Sequence, residues 1–282
     1  MNGLSIQAGD HIGAVFADGD EFVATTLSLA EQGLREHARV LVLPDPGLVE
    51  TVRLRLAEHG GAMRSALSEH RLQVLDVRRA QLRTGCFDPE RLRAMYASAA
   101  GRSVADGFSG LWISVDMGWA RPGVVDSAAL AAFEAGTNTL FTGRRLTAVC
   151  QYGTRTFSPA EITRVRRAHP ADLNGARFRH RLAGDGRGLA LSGDADWSNQ
   201  TAWEALTASL PDGDAFIDIT GMTFMGVRAM AQLGQVAAAR PHGMAIVATP
   251  GQSAYLRLIG VDRVAVLVSA REEAHETGLS RS

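Results

Sequence analysis

The chain has 282 residues, 46% of them hydrophobic and 6% aromatic, with a net charge of −1. This is the balance of a soluble globular protein with one large or two ordinary domains. All 29 basic residues are arginine, so neither a phosphate-loop lysine nor a Schiff-base lysine exists.

Cys86 and Cys150 are the only cysteines. They exclude a disulfide framework and fit a reducing cytoplasm, the expected location. No apolar run approaches the roughly 20 residues of a membrane span. The opening "MNGLSIQAGDHIG" lacks a basic region before an apolar core, so no signal peptide is expected.

In chain order, strand-like and helix-like segments alternate. "HIGAVF" (11–16) reads as a strand, 21–36 as an amphipathic helix, and "RVLVLP" (39–44) as a buried strand. "LVETVRLRLAEHG" reads as a helix stopped by Gly60 and Gly61. "RLQVLDV" (71–77), "GLWISVD" (110–116) and "LTAVCQY" (146–152) are further strands. Helical patterns occupy 88–101 and 127–141, and a last helix at 158–170 has Ser158 as N-cap before Pro159. This alternation predicts a mostly parallel sheet covered on both faces.

The texture then changes. Residues 171–188 read as a loop rich in Gly and Arg. After them come strand-like "LALSG" (189–193), a helix at 198–210 and a strand–helix unit at 216–239 whose strand is expected to end at Gly221. "GMAIVAT" (243–249), a helix at 250–259 and "VAVLVS" (264–269) follow. Residues 143–182 carry nine arginines and two acids, whereas 183–282 carry seven arginines and eleven acids. The expected domains are 1–180 and 181–282.

The first of these resembles the MEDS sensory domains, a degenerate RecA-like group of bacterial and archaeal regulators. The matching segments are "GDHIGAVF" (9–16), "GCFDPERL" (85–92), "GLWISVDMGWA" (110–120), "AFEAGTN" (132–138), "VCQYGTRTFSP" (149–159) and "AHP" (168–170). The resemblance implies a ligand-sensing role. His11, Asp116, Trp119, Glu134, Cys150 and Tyr152 are the residues that would line its small-molecule pocket, most of them at strand ends, where open α/β sheets bind ligands. Trp119 and Glu134 together would suit a small cationic or polar ligand.

The residues themselves also support plainer roles. A histidine beside Asp10 is more often structural, Cys150 reads as a buried inert thiol, and Asp116 reads as a strand end capping the next turn. His11 and Cys150 lack closely spaced ligand pairs, so no metal site is expected. No cofactor is named by the sequence.

The second domain resembles the STAS family, the fold of anti-sigma-factor antagonists. "LSGDADWSN" (191–199), "FIDITGMTF" (216–224) and "HGMAIVATPGQSAYLRLIGVDRV" (242–264) follow that family's segments in order and spacing. Its phosphorylated members carry serines where the helix starts after the central strand. Here those four positions are Gly226, Val227, Arg228 and Ala229, so no phosphorylation is expected at the usual position. The resemblance implies a partner surface at Asp194, Asp196, Ser198, Asn199, Thr223, Gly226 and Arg228.

Where a RecA-like ATPase would cradle phosphate, "AVFADGDEFVATTLS" (14–28) has one glycine flanked by Asp18, Asp20 and Glu21. Carboxylates at a helix start satisfy its dipole and repel a triphosphate. Arginines around 164–181 lack the aromatic interleaving of a nucleic-acid surface, so neither DNA nor a membrane is an expected partner.

The leading expectation is a non-enzymatic regulator. Its sensory domain would control a STAS output that binds an anti-sigma factor or a kinase-like partner. Two alternatives are a nucleotide or small-molecule sensor with at most weak NTPase activity, and a scaffold of a larger signalling assembly.

Overall fold

The computed structural model describes residues 5–82, 85–173, 175–184 and 186–269. The chain divides into two units, Met1–Asn174 and Gly175–Ser282.

The first unit runs β1 (His11–Phe16), α1 (Gly19–Arg35), β2 (Arg39–Leu43), α2 (Val49–Glu58), α3 (Gly61–Ser68), β3 (Leu72–Val74) and α4 (Val77–Gln81). It continues through α5 (Pro89–Ala105), β4 (Leu111–Asp116), α6 (Ser127–Thr137), β5 (Leu146–Gly153), α7 (Pro159–Arg167) and β6 (Ala171–Asp172). The six strands pair in parallel in the order β3-β2-β4-β5-β1-β6.

Its central strands are buried on both faces, and alternate side chains feed two separate cores. Leu111, Ile113 and Val115 of β4 join Ala148, Cys150 and Tyr152 of β5 in one core with Phe133 and Leu92. Trp112 and Val149 point the other way, into a core with Ile12, Val40, Phe22 and Leu29. Both faces are therefore covered, as the unbroken apolar runs predict.

Some boundaries differ from the sequence reading. The strand expected at 71–77 stops at Val74, because Asp76 caps the amides of Arg78 and Arg79 and turns Val77 into α4. Beyond Gly60, which has φ 142°, the chain starts a further helix, α3, that buries Met63 and Ala66. The last helix keeps its predicted start: Ser158 and Glu161 form a reciprocal capping box before Pro159.

The second unit runs β7 (Phe178–Ala183), β8 (Gly188–Ala195), α8 (Gln200–Ala208), β9 (Ala215–Met225), α9 (Val227–Ala238), β10 (Met244–Ala248), α10 (Pro250–Leu258) and β11 (Val266–Ser269). The strands lie in the order β11-β10-β9-β8-β7, parallel except for the antiparallel β7–β8 hairpin.

The segment 171–188 is thus not all loop. Phe178 and His180 are buried between the more exposed Arg179 and Arg181, so β7 alternates faces behind an arginine-rich composition. It crosses residue 180, where the sequence reading set its boundary, and pairs with β8 in the second sheet. β9 also runs past Gly221 to Met225. A Cβ at Gly221 would approach Ser192 Cβ to 2.8 Å, so glycine there permits close strand approach beside a register shift in β8–β9.

Candidate functional site

The strand period and the helix order of the first unit bring four buried donors together. Ile12 faces one core, so its neighbour His11 points to the opposite face, which Cys150 and Tyr152 share. Glu134 projects from α6 onto that face. His169 lies after α7, just before β6 pairs with β1. Its ring sits over Gly13, where a Cβ would come within 3.1 Å of it. All four side chains are buried.

Their atoms converge. His11 Nε2 is 3.3 Å from Glu134 Oε2 and 3.5 Å from Cys150 Sγ. His169 Nε2 is 3.5 Å from the same Glu134 Oε2, and Cys150 Sγ is 3.8 Å from it. One ligand atom from each residue lies within 4.8 Å of every other.

The outer contacts fix the tautomers. Asn138 donates its Nδ2–H to the Ala168 carbonyl at 2.9 Å, so its Oδ1 faces His11 Nδ1 at 2.6 Å. His169 Nδ1 faces the Val165 carbonyl at 2.8 Å. An oxygen acceptor demands a proton on each Nδ1, which leaves each Nε2 as a lone pair when the ring is neutral. His169 Nε2 has no hydrogen-bond partner among the described residues. Tyr152 donates its hydroxyl to Glu134 Oε1 at 2.7 Å.

The electrostatics of this arrangement conflict. Burial, then the neighbouring His169, pushes His11 below its ordinary pKa and favours the neutral ring. Burial alone would raise Glu134, but the facing His11 and His169 side chains outweigh it and hold the carboxyl low. That effect draws on positive charge at the imidazoles, whereas burial favours the neutral form of His11. Burial, then the Glu134 carboxylate, pushes the Cys150 thiol well above its usual range. The same two causes raise Tyr152, which stays a donor.

An enclosed cavity of about 20 Å³ adjoins the cluster, lined among others by His11, Tyr96, Phe133, Phe141 and Cys150. That is room for one water-sized species and not for a nucleotide.

His11, Glu134, Cys150 and Tyr152 thus meet, while the other two expected pocket residues lie elsewhere. Trp119 is buried with its ring centroid 6.0 Å from that of Phe87. It is not among the residues lining the cavity. His169 belongs to the cluster although "AHP" gave the sequence reading no role for it; its signal is position alone, just ahead of the strand beside β1.

Asp116 ends β4 and accepts the Gly118 amide at 2.8 Å, the turn-capping role. It faces a separate open cleft of about 400 Å³ that includes Asp18, Asp45, Arg78, Arg121 and Arg155. Asp18 caps α1 there, accepting the amides of Asp20 and Glu21 at 3.0 and 3.1 Å, so the helix start is already bonded to carboxylate. Burial, partly offset by the Gly118 amide, raises the Asp116 pKa. The folded state therefore holds its proton to higher pH than the unfolded chain does, and stability falls as pH rises through that window. Asp116→Asn keeps the capping oxygen and is expected to raise the melting temperature at neutral pH, with the gain disappearing in acid. Thermal scans across pH check this.

In the second unit, the join of β9 and α9 forms an exposed ridge. Trp197, Val227 and Phe224 are 69%, 68% and 55% exposed. Gly226 is the N-cap of α9 and supplies no side-chain cap. Arg228 pairs with Glu204 at 3.2 Å, Thr223 donates to Asp194, and Asp196 accepts the amide and hydroxyl of Ser198. Asn199 departs from the expected surface. It is buried, donates to the Asp194 carbonyl and accepts the Asp196 amide, both at 2.9 Å, so it shapes the turn from inside.

A helix-covered parallel sheet with a buried polar cluster, and a helix start bonded to carboxylate rather than open to phosphate, defines an α/β domain built around an interior site. Residues 10–170 match the profile of MEDS, the MEthanogen/methylotroph, DcmR Sensory domain. The chain belongs to that family. No curated protein matches it. No helix among the described residues is long and apolar enough to cross a membrane.

Proposed function

We propose that this is a non-enzymatic signalling regulator of the cytoplasm. Its MEDS domain controls a STAS-like second unit that binds an anti-sigma factor or a related kinase-like protein. The observation that carries this reading is the exposed apolar ridge of Trp197, Phe224 and Val227. Large exposed apolar side chains clustered beside charged ones mark protein interaction surfaces. Phe224 and Val227 flank Gly226 along the chain, and the Gly226 amide donates to the Ala195 carbonyl, two residues before Trp197, where the STAS resemblance sets its partner surface.

Arg228 fixes a positive charge where regulated relatives would gain a negative one, so binding is not gated by phosphate at that position. Control then falls to the sensory domain, whose ligand must favour one arrangement of the protein over another. Affinity capture from the host lysate, with the full chain as bait, tests the reading: an anti-sigma factor should be retained. Val227→Asp and Arg228→Glu should each weaken that binding by about tenfold or more, measured by titration calorimetry. Unchanged affinity in both variants would remove this surface.

The cleft holding Arg78, Arg121 and Arg155 supports a second reading, a sensor of a small anion such as a nucleotide. Arg78 is already paired with Asp45 at 3.2 Å and three carboxylates share the cleft, so this reading ranks below the first. Calorimetry with ATP, GTP and cyclic dinucleotides tests it; no heat from any of them retires it.

A further inference from the structure

We propose that His11 Nε2, His169 Nε2, Cys150 Sγ and Glu134 Oε2 form a buried tetrahedral site for a divalent transition metal, zinc(II) foremost. The inference concerns the first unit alone and stands whether or not the second binds an anti-sigma factor.

The distances carry it. Zinc bonds of about 2.0–2.1 Å to nitrogen, 2.0–2.2 Å to oxygen and 2.3 Å to sulfur imply tetrahedral edges of about 3.4 Å (N to O) and about 3.6 Å (N or O to S). The cluster has N–O edges of 3.3 and 3.5 Å, an N–S edge of 3.5 Å and an O–S edge of 3.8 Å. Four of the six edges thus match those of a tetrahedral site, and all four ligand atoms lie within 4.8 Å of one another.

The outer contacts complete the arrangement. A metal-bound histidine ordinarily gives its other ring proton to a carbonyl or carboxylate, and a ligating carboxylate is itself hydrogen-bonded. Here His11 gives its Nδ1 proton to Asn138 Oδ1 and His169 gives its own to the Val165 carbonyl. Tyr152 holds the remaining oxygen of Glu134. Both Nε2 atoms face the same carboxylate oxygen, so a cation, whether proton or metal ion, fits between them.

Charge closes the account. Zinc(II) with two neutral imidazoles, one thiolate and one carboxylate has no net charge, which suits a site sealed from water. Binding expels the thiol proton to solvent, and a mixed nitrogen, sulfur and oxygen set favours zinc over magnesium or calcium.

The test uses the full chain, stripped with a chelator and titrated with cobalt(II) alone. The expected result is one equivalent bound, with strong visible bands of a tetrahedral ion and a near-ultraviolet thiolate-to-cobalt band. Cys150→Ser should abolish the thiolate band, whereas Cys86→Ser, at an exposed cysteine, should keep it. Absence of tetrahedral bands in the wild type, or loss of the thiolate band with Cys86→Ser instead, overturns the site. Should Cys150→Ser not fold, X-ray absorption of the zinc-loaded wild type decides. One sulfur with three nitrogen or oxygen neighbours supports the site, and no sulfur overturns it.

Discussion

Trp203→Ala is expected to remove about 3–5 kcal/mol from the second unit, a large part of what an ordinary domain of about 100 residues possesses. Trp203 on α8 is fully buried and meets Phe178 of β7 edge-on, with centroids 5.6 Å apart. Its Nε1 donates to the Ala229 carbonyl in α9 at 3.1 Å. One side chain therefore ties the antiparallel edge strand and two helices to a single core, and alanine would leave both a cavity and a lost hydrogen bond. Hydrogen exchange read by mass spectrometry localises the effect: peptides from β8, β9 and β10 should lose protection, while β1, β4 and β5, which belong to other cores, should keep it. Trp203→Phe should cost less, because it retains most of the volume. Unaltered protection in the alanine variant would mean that this core rests on other contacts.

How much of this was legible depends on what each segment buries. β1, β2, β4 and β5 stand out because strands covered on both faces read as continuous apolar runs. β7 does not, since Arg179 and Arg181 dominate the composition while Phe178 and His180 do the packing. The continuation of β9 past Gly221 was equally hidden, because glycine there serves an approach between strands and not a turn. Within the site, sequence offered His11, Glu134, Cys150 and Tyr152 as separate strand and helix positions. Their convergence was not visible: His11 and Cys150 are 139 residues apart, far outside the short spacings that betray zinc ligands. His169 could be found only by knowing that β6 pairs with β1, a pairing two residues long in β6 and too short to leave a pattern.

Glu134→Ala is expected to destabilise the first unit by about 1–3 kcal/mol for each buried polar group left without its partner. The loss falls on several groups at once. Tyr152 loses the acceptor of its hydroxyl, and two buried imidazoles lose the group they face. Glu134→Gln separates structure from ligation. Its amide oxygen can still accept from Tyr152, and its amide nitrogen can face the Nε2 atoms of His11 and His169. In chelated protein the glutamine variant should therefore melt close to wild type, because the amide keeps the Tyr152 contact and a hydrogen-bonding group before both imidazoles. With zinc present wild type should melt higher. Wild type gains stability as the ion binds only the folded state, about 2.7 kcal/mol at a free concentration one hundred times the dissociation constant. Glutamine, a neutral and weaker ligand, should gain far less. Melting curves of both proteins with and without zinc give four values and one sign. If zinc raises the two proteins equally, Glu134 does not hold the ion; if glutamine melts far lower in chelated protein, the carboxylate stabilises the fold without a metal.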